Sequence, residues 1–465
     1  MSEAILSDNS IVREERQVKE WTPAKVIYTC LMAFNLLSFL WLLANGSGIE
    51  MPPIIGIARL ATVPLAIYLG RLWKDKGFRI LSIYFLWFLF RCIIPNSDNF
   101  FAGEVSQSIL SALWLFSSCY GLARILTGDQ TRKFLLTCSS IWLVGICIFS
   151  CIGIYTAWTD SIIDVNGHGV IGLYYSARLN MIYLSTTAGS ILGLTFLIGI
   201  VTIVSAKKKL IKILLILVLF PIALAMALTD SRIVYISLPI GLGGFIFSYI
   251  FEKCKDKKAY GKNQYWRCWV YGIISMVITV ILSFWLLMQI IPVFNIFKIR
   301  GLISTAYAEG AGKIPMIRRG LEGTDILNGR MEIWASVLNY LRYNPLILLI
   351  GESKLHPLQN VIASYSHCHN IYLQVLLESG IPGLLIFLSF IVYTFFQSMK
   401  TIATSTLRLS IRLIPAILVF LCIEDFAECF IWLRSSQCPM IAAFFICAGI
   451  IKSQQANKIQ TYSKI

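Results

Sequence analysis

Charge is scarce in this sequence. Only 14% of its 465 residues are Asp, Glu, Lys or Arg, against 57% hydrophobic residues, and the mean hydropathy is +0.73. Soluble domains carry about a quarter charged residues, so water is excluded as the main solvent of the chain. Acidic side chains are the scarcer sign, 24 against 40 basic ones, and histidine is rarer still at four. The 13 cysteines show no CxxC pair and no finger spacing, which leaves small buried hydrophobes as their reading and argues against a structural zinc module. No Walker motif, Gly-rich nucleotide loop or tandem repeat is present, which argues against an ATP-driven pump.

Long apolar runs, by contrast, recur along nearly the whole length. Cutting at charges and turn residues predicts spans near 24–46, 53–70, 80–95, 108–126, 134–157, 182–205, 210–228, 233–251, 268–292, 372–398, 413–430 and 435–451. The expected fold class is an all-α polytopic membrane protein with about twelve transmembrane helices in one continuous domain. Lys and Arg gather in alternate loops, among them Arg71–Arg79, Lys207–Lys209, Lys253–Lys262 and Lys400–Arg412, so these loops and both termini are expected in the cytosol. Residues 1–23 then form a cytoplasmic leader that is not cleaved, and 452–465 a cytoplasmic tail. The formal net charge of +16 follows largely from this pattern and is not read as a nucleic-acid signal.

One outer segment breaks the charge rule. Residues 293–371 hold Lys298, Arg300, Lys313, Arg318, Arg319, Arg330, Arg342 and Lys354; Arg178, Arg232 and Arg434 also fall on the outer side. Part of this is ordinary solvated surface, because long loops escape the orientation rule. The rest points to an anionic ligand, since the arginine fork donates two parallel hydrogen bonds to phosphate and keeps its charge. All four histidines, His168, His356, His367 and His369, lie in outer loops. The HxH pair in SHCHN is a weak metal signal, and a general-base role for His369 is the more attractive reading. Asn370 is expected to cap the helix that follows and so to fix the projection of His369, with His367 pointing elsewhere.

These residues sit in a recognisable order. The stretch LNGRMEIWASVLNYLRYNPLILLIGES followed by SHCHNIYLQVLLESGIPGLLIFL resembles the hallmark region of the O-antigen ligase and polymerase superfamily. Arg330, Pro345, His369 with Asn370, and Glu378 with Gly380 occupy the motif positions. LTDSRIVYISLPI resembles the upstream Arg motif and supplies Arg232; the tail EDFAECFIWLRSSQCPMIAAFFI is similar to the ligases' final region and places Glu428, Trp432 and Arg434. The resemblance runs from roughly residue 150 to the C-terminus. It departs at Glu428, where these ligases tend to carry Asp, so Asp425 and Glu424 are alternative acidic residues.

The resemblance implies a metal-independent, cofactor-free glycosyltransferase of the bacterial inner membrane with its site facing the periplasm. Helices 1–9 would fill 24–292, a helical periplasmic cap 293–371, and helices 10–12 residues 372–451. The implied donor is a glycan on undecaprenyl diphosphate, and the implied acceptor is a lipid A-core hydroxyl or, for a polymerase, another lipid-linked repeat. Arg232 and Arg330, with Arg434 and Arg178, would hold the diphosphate, His369 would activate the acceptor, and Asn370, Glu428 and Asp425 complete the substrate-binding set. A transporter or flippase is the reading from another class, and internal repeats or charges at mid-span would mark it.

Overall fold

The computed structural model describes residues 21–45, 53–93, 113–126, 128–159, 161–164, 170–174, 178–181, 185–206, 208–229, 231–256, 265–302, 330–352, 357–362, 365, 367–402, 408–430, 442–443 and 446–447. The helices are α1 (Pro23–Asn45), α2 (Pro53–Gly70), α3 (Lys76–Ile93), a π-turn Leu115–Cys119 running into α4 (Tyr120–Ile125), α5 (Gly128–Thr159), α6 (Ser185–Ser205), α7 (Lys209–Thr229), α8 (Arg232–Asp256), α9 (Tyr265–Leu302), α10 (Arg330–Tyr343), α11 (Pro345–Ile350), α12 (Ile371–Ile402) and α13 (Arg408–Glu424). Among the described residues eight of these, α1, α2, α5 to α9 and α12, are long and apolar enough to cross a membrane, and Leu413–Glu424 is a shorter apolar helix. The chain is therefore a multi-pass membrane protein; the expected span 435–451 lies almost wholly outside the described residues.

Two expectations need correction. The fold is not purely helical: Ile163–Asp164, Val170–Tyr174 and Arg178–Met181 (β1 to β3) form an antiparallel sheet, with Ile171 opposite Met181 and Leu173 opposite Leu179. Ile171, Leu179 and Met181 are buried, and so is Asn180 between the last two, so strands of two to five residues carry no clear alternation that could stand out between two helical spans. The expected span 413–430 also ends early, at Glu424. There the Asp425 side chain accepts the Phe430 N–H at 2.6 Å, a local alternative to the helical ladder that turns the chain.

Small residues let the helices approach. A Cβ on Gly241 of α8 would meet Phe420 at 3.1 Å, and one on Gly244 would meet the Pro415 carbonyl at 3.3 Å, so α8 and α13 run antiparallel in close contact. Ser237 of α8 and Ser190 of α6 both donate to the buried carboxyl of Glu424 at the end of α13, tying three helices together near its turn. The N-terminus of α8, with Arg232, consequently lies at the same end of the bundle as residues 425–430.

α12 is broken at Gly380 (φ 65°), with Pro382 two residues on. Such a break frees carbonyls that lipid cannot satisfy. Here the indole of Trp87 donates to the Ser379 carbonyl at 2.9 Å and the Glu352 N–H to the Leu377 carbonyl at 2.7 Å. Gly351 (φ 82°) is needed for this docking, because a side chain there would overlap the Glu378 carbonyl. At its other end α3 meets the far end of α12, where a Cβ on Gly77 would lie 3.1 Å from Tyr393. The Ile93 end of α3 is thus at the His369 end of the bundle. Arg124 pairs with Asp75 at 3.2 Å and the Gly70 carbonyl at 2.9 Å at the opposite end, which leaves the Pro53 end of α2 on the His369 side.

Candidate active site

α10 buries Ile333, Val337 and Leu341, a stripe at helical spacing, in a small core with Leu358, Cys368 and Leu377. This packing sets the first turn of α10 beside the start of α12. Arg330, the first residue of α10, donates through Nη2 to one carboxylate oxygen of Glu428. The other oxygen of Glu428 lies 3.0 Å from Nδ1 of His369. Three residues far apart in sequence meet here, on α10, before α12 and after α13. Glu428 is 4% exposed, while His369 keeps 26% of its side chain open.

The backbone around His369 is held from several sides. His369 itself is left-handed (φ 48°), a conformation that, among the described non-glycine residues, only Arg71 shares. Such strain persists where the surroundings over-determine it. Trp334 Nε1 donates to the Cys368 carbonyl at 3.0 Å, and the Cys368 N–H donates to Gln374 at 2.9 Å, whose amide in turn donates to Glu378 at 2.8 Å. Asn370 caps α12 as its sequence position predicts: Oδ1 accepts the Leu373 N–H at 3.0 Å and Nδ2 donates to the Phe426 carbonyl at 3.1 Å. The Ile371 N–H donates to the Asp425 carbonyl at 3.0 Å, which joins α12 to the turn carrying Glu428.

His367 does not point elsewhere. Because His369 is left-handed the chain doubles back, and the two imidazoles lie 4.2 Å apart with Nδ1 of His367 accepting the His369 N–H at 3.3 Å. Burial, followed by the neighbouring His369, lowers the pKa of His367 to about 4. It is a neutral buttress at pH 7. Burial would raise the Glu428 carboxyl, but the His369 hydrogen bond and the Arg330 guanidinium prevail and hold it below the usual range. An ionised Glu428 can only accept, so Nδ1 of His369 carries the proton and Nε2 is left as the acceptor.

The same three side chains also have the donor types of a metal site. His367, His369 and Glu428 offer ligand atoms within 4.8 Å of one another, a set that could hold a metal ion. Against this, Arg330 already occupies one oxygen of Glu428, and a guanidinium beside a cation is unfavourable.

A pH effect follows from His367. Its folded pKa is depressed, so between pH 6.5 and about 4 the unfolded chain binds a proton the folded chain refuses. Thermal stability of the purified protein is expected to stay level from pH 8 to about 6.5 and to fall toward 4. His367→Gln should flatten that stretch of the profile; an unaltered slope would mean another group controls it.

Of the other predicted residues, Arg232 opens α8 at the same end of the bundle, Arg178 opens β3, and Asp425 caps the turn through Phe430. Arg434 lies outside the described residues. Trp334 and Gln374 escaped the sequence reading, since an indole or amide that bonds a distant backbone leaves no local pattern. A comparison with curated proteins finds no match. Residues 217–388, which contain Arg232, Arg330, His369, Asn370 and Glu378, match the family model described as O-antigen ligase, and this match supports the O-antigen ligase and polymerase superfamily for that region.

Proposed function

We propose that this protein is an O-antigen ligase: a metal-independent glycosyltransferase that moves a glycan from undecaprenyl diphosphate to a hydroxyl of lipid A-core at the periplasmic face of the inner membrane. The observation that carries this reading is the convergence of Arg330, Glu428 and His369 at the mouth of α12. The acceptor hydroxyl attacks the anomeric carbon as the bond to the diphosphate breaks. Nε2 of His369 takes the hydroxyl proton, and Glu428 stabilises the imidazolium through Nδ1. The diphosphate leaves on the polyprenyl chain, with Arg330 and Arg232 meeting its growing charge. The motif resemblance assigns Arg178 and Arg434 to the same diphosphate-binding role, Asn370 fixes the angle of His369, and Asp425 holds the turn that presents Glu428.

Deletion of the gene separates the candidate activities. Lipid A-core without any attached chain, together with accumulated lipid-linked polymer, is the result expected for a ligase. Core bearing a single repeat would instead identify a polymerase, and normal lipopolysaccharide would overturn both. Alkaline phosphatase fusions test the face: activity is expected after about residue 330 and none after about 258, and the reverse pattern would move the site to the cytosol.

A further inference from the structure

The buried cation that transfer does not use is Arg59. It lies within the membrane-spanning helix α2 and is 4% exposed. Its Nε, Nη1 and Nη2 are all buried without a hydrogen-bond partner among the described residues. The guanidinium carbon lies 4.5 Å from the ring centre of Trp114 and 5.8 Å from that of Phe39. Buried polar atoms on the neighbouring turns also have no partner among the described residues: Trp114 Nε1, Ser118 Oγ one turn further along the π-turn, and Asn35 Oδ1, whose amide nitrogen donates to Thr62, one turn after Arg59, at 2.9 Å.

Aromatic rings attract a guanidinium but cannot replace a counter-ion. The stabilisation they supply is smaller than the cost of an unpaired charge at membrane depth. The site offers the five N–H bonds of a guanidinium close to an indole, so the ligand it suits is rich in acceptors and negatively charged. Arg59 stands six residues, about 9 Å of helix rise, from Pro53. That end of α2 is on the His369 side of the bundle. A residue about 9 Å inside an 18-residue span is deeper than a headgroup layer, so a ligand that reaches it from the membrane has to bring its polar head inward; phosphate is the abundant anion of that layer and matches the planar fork. A π-turn, a helical irregularity frequent at functional sites, starts directly after Trp114.

We propose that Arg59, with Trp114 and Asn35, binds the phosphate group of a membrane lipid in the leaflet adjoining the His369 cluster. This site is separate from the Arg330 cluster and does not depend on the transfer reading. The lipid would be drawn in head-first between α1, α2 and the π-turn, and the guanidinium would add two charge-assisted hydrogen bonds to its contacts with the rings of Trp114 and Phe39.

The test uses the full chain purified in detergent, with phosphatidylglycerol, undecaprenyl phosphate and undecaprenol as probes, read by native mass spectrometry and by the shift in Tm. Phosphate-bearing lipid should bind and raise Tm, undecaprenol should do neither, and Arg59→Gln should weaken binding at least tenfold. A response to both phosphate lipids identifies a general headgroup site; a response to undecaprenyl phosphate alone identifies the carrier lipid; either supports the proposal. Equal binding of undecaprenol, or wild-type binding by Arg59→Gln, overturns it. Should Arg59→Gln fail to fold, Arg59→Lys keeps the charge and loses the fork, and the response should still weaken about tenfold; wild-type affinity in that variant also overturns the proposal.

Discussion

Arg330→Lys should lower transfer almost as far as Arg330→Ala, by roughly 10²-fold or more, the usual loss when one donor to a developing negative charge is removed. The reason is geometric. Arg330 has to hold Glu428 with one Nη while offering its remaining N–H groups to the diphosphate, and an ammonium is a point charge without a fork. Either substitution also disturbs Glu428, a buried carboxylate whose loss of partner could destabilise the site by itself. A paired variant separates the two effects. Arg330→Met with Glu428→Gln removes both charges, so folding and membrane levels should recover while transfer stays low. Recovery of transfer in that double variant, or a wild-type rate for Arg330→Lys in purified form, would show that Arg330 serves the fold and not the phosphate.

His369→Ala should reduce transfer by about 10² to 10⁴ while leaving donor binding nearly unchanged, the range typical of general-base assistance. His367→Gln should cost little, within about threefold, because an amide can still accept the His369 N–H that the His367 ring accepts at 3.3 Å. The contrast is informative because the two rings touch and a metal would use both. Transfer by the purified protein from an undecaprenyl-diphosphate donor, with and without chelator, decides between the roles. Comparable losses from both substitutions together with inhibition by chelator would favour the metal; undiminished turnover by His369→Ala would remove the base.

What the sequence determined by itself is whatever depends on neighbours along the chain. Hydropathy placed α1, α2, α5 to α9 and α12, because a lipid-crossing helix is specified by about twenty consecutive residues. The cap of α12 was legible in the same way: Asn370 and the Leu373 N–H it holds are three residues apart. The candidate residues Arg330, His369 and Glu428 were legible by motif, as unusual side chains in a run of apolar ones. Their relation was not. Glu428 could be read as one of several acidic residues near a last helix; only the end of α13 at Glu424 and the turn at Asp425 bring its two oxygens to Arg330 and His369. His367 was misplaced because alternation assumes an ordinary backbone, and the left-handed His369 reverses it. Arg59 drew no notice within an apolar run, since a single charge barely lowers a window average. Its isolation is a property of the folded helices, which set two aromatic rings against it and, among the described residues, no hydrogen-bond partner for any guanidinium nitrogen. Helices in lipid are fixed by local composition, whereas the pairing of buried charges is decided by which helix ends the tertiary packing brings together.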